Sequence, residues 1–137
     1  MNQALRSQVR TREGNRCEYC LIHQEHDSFF TFPIDHIVAR QHGGDTTLGN
    51  LALSCFRCNS RKGPNIASID PLSGRLTELY HPRRARWKHH FEWIGPMING
   101  KTDVGRATVS LLAMNHPDIV LLRELLIEEG TFPPVVD

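Results

Sequence analysis

Two pairs of cysteines frame the first half of this sequence: Cys17 and Cys20 in CEYC, then Cys55 and Cys58 in CFRC. Each CxxC pair can fold as a knuckle presenting two thiolates, and four thiolates complete a tetrahedral zinc site. No position is left for water, so this metal would be structural. Polar groups of another kind lie between and after the pairs: Asp35 and His36 in DHI, Asn50 in GNL, and Asn59 directly after Cys58 in CNSRKG. Each has a plain alternative when taken singly. Asp35 can be a turn residue, His36 a packed strand-end histidine, Asn50 a cap and Asn59 a solvated helix position. Their joint placement relative to both knuckles is what makes them a set.

These residues need elements to hold them. Leu5 and Val9 lie four apart ahead of Gly14, which predicts a helix over about residues 2–13. FFTFPI is rich in aromatic and β-branched residues and predicts a strand, with Pro33 restricting it to an edge or a strand end, so Asp35 and His36 sit where that strand finishes. QHGGDTTLGN is a turn-forming loop, LALS a second strand, and a short helix should run from Cys55 to Lys62, stopped by Gly63 and Pro64. Strand, loop, strand and helix in that order make a ββα core.

Beyond it, PNIASIDPLSG reads as loop and RLTELY as a weak strand. ATVSLLAMN and IVLLRELLIEEG show leucine-rich helical patterning, separated by Asn115, His116 and Pro117 and stopped by Gly130, which predicts a helical hairpin. The expected class is α+β: a small ββα core stapled by a four-cysteine zinc site, with an N-terminal helix and a C-terminal helical hairpin. At 137 residues and 39% hydrophobic content we expect one domain, with residues 17–63 as its core and 64–137 as a C-terminal extension.

The run CEYC, DHI and GNLALSCFRCNSRKG, over residues 17–63, closely resembles the zinc-containing branch of the HNH (ββα-metal, or His-Me finger) endonucleases. HPR…W…HFEW and the later TDVGRATV…LL…N…P are similar to the C-terminal extension of many bacterial proteins of this type. The resemblance implies that His36 is the general base, that Asn50 braces the loop, and that Asn59 is a ligand to a catalytic divalent ion with Asp35 as the second. The third motif position is often histidine, so this chain looks like an HNN variant. An amide oxygen there suits Mg2+ or Mn2+ better than an imidazole does. The implied activity is hydrolysis of DNA phosphodiesters, with 5′-phosphate and 3′-hydroxyl products. Its rival is a zinc-stabilised nucleic-acid-binding module that does not cleave, and a protein-interaction domain built on the helical hairpin comes third.

The formal net charge of +1 by itself gives no support to a nucleic-acid partner. Its distribution says more. Arg75, Arg83, Arg84, Arg86 and Lys88 crowd one stretch against Glu78, while the last twenty residues are acidic on balance. Arg40, Arg57, Arg61 and Lys62 are candidate phosphate contacts, although a cation at Lys62 also suits a helix C-terminus. Trp87 and Phe91, one helical turn apart, read as core with only the neighbouring charges facing DNA. No stretch has the length and apolarity of a signal peptide or membrane span, and unpaired CxxC cysteines suit a reducing compartment, so the expected location is cytoplasmic. The C-terminal leucines are simplest as intramolecular core, giving a monomer, with a homodimer face as the alternative.

Overall fold

A computed structural model describes residues 1–136. The fold is α+β, with antiparallel two-stranded sheets and, among the described residues, no barrel. The backbone groups into two compact units. One comprises Met1–Ile66 with His81–Arg84, and the other Ala67–Tyr80 with Ala85–Asp137.

In the first unit, helix α1 (Gln3–Arg12) is capped by the Asn2 side chain, which accepts from Leu5 N, and it ends ahead of Gly14. Val9 is its one fully buried residue. Strands β1 (Ile34–His36) and β2 (Leu51–Leu53) pair antiparallel, with Asp35 opposite Ala52 and His36 opposite Leu51. The strand predicted over FFTFPI is displaced: only Ile34 of that stretch lies in β1, which runs on through Asp35 and His36. Pro33 has no N–H to give to a ladder, and the Phe32 N–H is taken by the Gln24 side chain, so pairing begins only at Ile34. Helix α2 (Phe56–Lys62) follows β2, with Cys55 at its N-cap and Gly63 at its end. The ββα order expected from the sequence is present.

The second unit contains β3 (Ala67–Ile69) paired with β4 (Leu76–Glu78), a short helix α3 (Trp87–His90), the hairpin β5 (Phe91–Ile94) and β6 (Met97–Gly100), and helices α4 (Asp103–Leu111) and α5 (Pro117–Glu128). Helix α4 packs on β6, β3 and β4. It comes so close that a Cβ on Gly105 would collide with the His90 carbonyl. Strand β3 lies in a stretch that reads as loop, and the β5–β6 hairpin has no turn signal of the usual Asn-Gly kind. Its tip is Gly95-Pro96. Helix α5 falls on the leucine-rich stretch expected of it, whereas α4 begins four residues before ATVSLLAMN and ends at Leu111, short of Asn115. Trp87 and Phe91 are both buried, as core residues should be. Among the described residues, no helix is long and apolar enough to cross a membrane.

Candidate active site and thiol cluster

The four cysteines converge. Cys17 and Cys20 come from the turn after α1, Cys55 and Cys58 from the start of α2, and all four Sγ atoms lie within 4.8 Å of one another. All four are buried and none is in a disulfide. Their thiols perturb one another strongly. Burial raises Cys17, but hydrogen bonds from Cys20, Cys55 and Cys58 outweigh it and hold its thiol well below the ordinary range. Those same contacts push Cys58 well up. Four thiolates in so small a volume repel unless a cation sits among them, and a set of soft, converging donors fits such an ion.

A second group forms where β1 ends. Asp35, His36 and Asn59 line one open pocket of about 280 Å3, together with Ile34, Ala39, Arg40, Gly63 and Pro64. β1 supplies the first two residues and α2 supplies Asn59. The pocket brings hard oxygen donors, a carboxylate and an amide, beside an imidazole. That donor set fits Mg2+ or Mn2+.

His36 is half-buried, and its ring Nε2 lies 2.8 Å from Thr46 Oγ1. The loop between the strands is held by Asn50: Oδ1 accepts from Val38 N at 2.9 Å, while Nδ2 donates to the carbonyls of Val38 and Asp45 at 3.0 and 2.8 Å. The Ile37 N–H adds a bond to the Asn50 carbonyl. This close fit explains Gly44, where a Cβ would collide with the Val38 carbonyl and approach Asn50 Nδ2. A bond at each end therefore ties the loop of His36 to the start of β2.

Asp35 has company that the sequence did not suggest. Its side chain is buried, and Oδ2 accepts from the Tyr19 hydroxyl at 2.7 Å and lies 3.1 Å from Lys62 Nζ. Burial raises its carboxyl above the usual range, with the Lys62 charge and the Tyr19 hydrogen bond pulling the other way. The Tyr19 phenol is pushed well up, by burial first and then by the Asp35 charge. Lys62 is only 1% exposed, and its ammonium also donates to the Ile37 and His36 carbonyls at 3.0 and 3.4 Å. It is thereby turned inward, away from any phosphate on the surface. Arg40 lines the pocket, and Arg57 and Arg61 stand on α2 with at least part of their side chains in solvent.

The basic stretch after β4 does not act as one block. Arg83 pairs with Glu13 at 3.1 Å and with Glu18. Arg84 is exposed and lines a separate polar cavity with His81, Asp45 and Asn50. Tyr19 and Thr46 were missed by sequence reasoning. Tyr19 carried a weak signal in its position inside CxxC; nothing distinguished Thr46 from Thr47.

Residues 17–65 match the HNH endonuclease family model. The chain is also 24% identical over 124 residues to the Septu protein PtuB of Bacillus thuringiensis, covering 89% of this chain and 45% of that relative. No solved structure matches the chain. Residues 17–65 thus carry an HNH endonuclease-family domain, which points to nuclease chemistry and a nucleic-acid substrate.

Proposed function

We propose that this HNH domain is a metal-dependent endonuclease that hydrolyses DNA phosphodiester bonds, with Zn2+ on Cys17, Cys20, Cys55 and Cys58 as its structural metal. The observation that carries this reading is the single open pocket in which His36, Asp35 and Asn59 meet. Four thiolates would hold zinc with no position left for water, so the metal there would serve structure and not the reaction. A cell compartment that keeps thiols reduced, such as the cytoplasm, keeps the ligands available.

His36 is the base. With Nε2 engaged by Thr46 Oγ1, the other ring nitrogen is left to take a proton from a water in the pocket. That water adds to phosphorus as the bond to the 3′ oxygen breaks, and the departing oxygen takes a proton from solvent, leaving 5′-phosphate and 3′-hydroxyl ends. Asn50 keeps the loop, and so the ring, in place. Asp35 and Asn59 would hold a divalent ion, which would supply stabilisation of charge on the phosphate and the departing oxygen. Arg40, at the pocket wall, binds a neighbouring phosphate, and Arg57 and Arg61 extend the contact along α2.

His36→Ala should lower plasmid cleavage in Mg2+ or Mn2+ by about 10²- to 10⁴-fold, the usual range for losing a general base. Bound zinc should remain unchanged. Wild-type activity in that variant would remove His36 from the reaction. One observation favours a second reading, a zinc-stabilised nucleic-acid-binding module: Asp35 already has a buried cationic partner in Lys62. DNA binding with no cleavage across Mg2+, Mn2+, Co2+ and Ni2+ would establish it.

A further inference from the structure

Asp35, Tyr19 and Lys62 form a buried chain that reaches from one half of the thiol cluster to the mouth of the pocket. Tyr19 sits between Cys17 and Cys20, is fully buried, and donates its hydroxyl to Asp35 Oδ2 at 2.7 Å. Lys62 is the last residue of α2, the helix that carries Cys58 and Asn59, and its ammonium lies 3.1 Å from the same oxygen. It is 3.3 Å from Oδ1. Its remaining partners are the carbonyls of His36 and Ile37.

A buried ion pair is a poor device for stability alone, because desolvating both charges consumes most of the Coulombic gain. What such a pair does well is fix positions. The Tyr19 hydroxyl holds Oδ2 and the ammonium lies against both oxygens, so the carboxylate is fixed from two directions and cannot rotate. The ammonium meanwhile pins the backbone carbonyls on either side of the Ile37 peptide nitrogen, and with them the segment from which the His36 ring projects. Groups that orient a metal ligand in this way typically change metal affinity or rate by about 10- to 100-fold when removed.

We propose that Tyr19 and Lys62 are positioning residues for cleavage, through which the cysteine knuckle sets the placement of Asp35 and the His36 backbone. The proposal rests on the reading of Asp35 as a metal ligand and His36 as the base. It also assigns Lys62 an interior role instead of a contact with DNA.

Tyr19→Phe is the primary test, since it removes one hydroxyl and keeps the ring; Lys62→Met is the companion. Each would be compared with wild type for zinc content, thermal midpoint, DNA affinity, and kcat against KM. Mn2+ binding would be followed by electron paramagnetic resonance on DNA complexes in the His36→Ala background, where no turnover interferes. The expected result for Tyr19→Phe is full zinc occupancy, KM for DNA within about two-fold of wild type, and kcat and Mn2+ affinity each down by about 10-fold or more. Unchanged kcat and Mn2+ affinity in folded, zinc-loaded Tyr19→Phe would overturn the proposal. So would a Lys62→Met protein whose DNA affinity falls while kcat stays, because that is the signature of a phosphate contact. Failure of the underlying reading looks different: His36→Ala itself would cleave like wild type.

Discussion

The two units of this chain are ordered by different physics. In the first, both strands are three residues long and much of the path between elements is irregular. Directional contacts hold that path. Arg12 donates to the Leu48 and Leu51 carbonyls, Gln24 bridges to Phe30 and Phe32, Asn50 clamps Val38 and Asp45, and four thiols converge on one point. The second unit has an aromatic core in which Trp87 and Trp93 rings lie 5.4 Å apart and Phe91 and Phe132 pack against them. Hydrophobic burial is non-directional and shared among many groups, whereas a ligand or a bidentate amide acts through one geometry. Order in the first unit is therefore concentrated in few residues, which suits a site that needs exact placement.

Removing the metal should show the contrast most strongly. In zinc-finger peptides such sites contribute on the order of 10 to 16 kcal/mol of apparent binding energy, more than a core this small can replace. Chelation, or Cys58→Ser, should unfold the first unit and abolish cleavage. Both tryptophans lie in the second unit, so their emission should stay that of the folded protein. Loss of both signals together would mean that the units do not differ as described.

Phe91→Ala reverses the experiment. It removes a ring that is 1% exposed, and truncation of a buried phenylalanine costs about 3 to 5 kcal/mol. Tryptophan emission should shift at lower denaturant while the first unit keeps its metal. A smaller effect is expected from Asn50→Ala, which deletes three loop hydrogen bonds for about 2 to 3 kcal/mol and should lower kcat more than it raises KM.

The smallest effect concerns pH. Arg106 holds Asp70 through two hydrogen bonds of 2.9 and 2.8 Å, and the Asp70 carboxyl is pushed well below the usual carboxylate range. A lowered folded-state pKa means that the unfolded chain binds the proton more tightly. The stability from this pair is thus fully present above the ordinary value of about 3.9 and lost as pH falls through the depressed one. Asp70→Asn should flatten that acid-side loss, seen in tryptophan-monitored unfolding between about pH 2 and 5. An unchanged pH profile would show that Arg106 does not act through charge.

The same contrast explains what was legible beforehand. The ββα order could be read because each element is flagged locally: Gly63 and Pro64 stop α2, and a Gly- and Thr-rich loop separates the strands. The cysteine pairs were legible because metal coordination needs fixed donor types at fixed spacing. Strand β3 was not, since Ala67–Ile69 is only partly buried and its partner lies across a Pro- and Gly-containing turn. The β5–β6 hairpin was hidden by the helical spacing of Trp87 and Phe91, where one short helix hands over directly to a strand.

By itself the sequence determined the donor atoms: four thiols, one imidazole, one carboxylate and two amides, in an order that puts them at the ends of short elements. Only tertiary structure decided which of them meet. Whether Lys62 faces phosphate or Asp35 depends on how α2 lies against β1, and whether Tyr19 fills core or orients a carboxylate depends on the turn that brings Cys17 and Cys20 to Cys55 and Cys58. Residue type and spacing set which bonds are available along the chain. Partners that are 16 and 27 positions apart are chosen by packing, where the cost of burying a charge selects the arrangement that leaves no polar group of the Tyr19–Asp35–Lys62 chain without a mate.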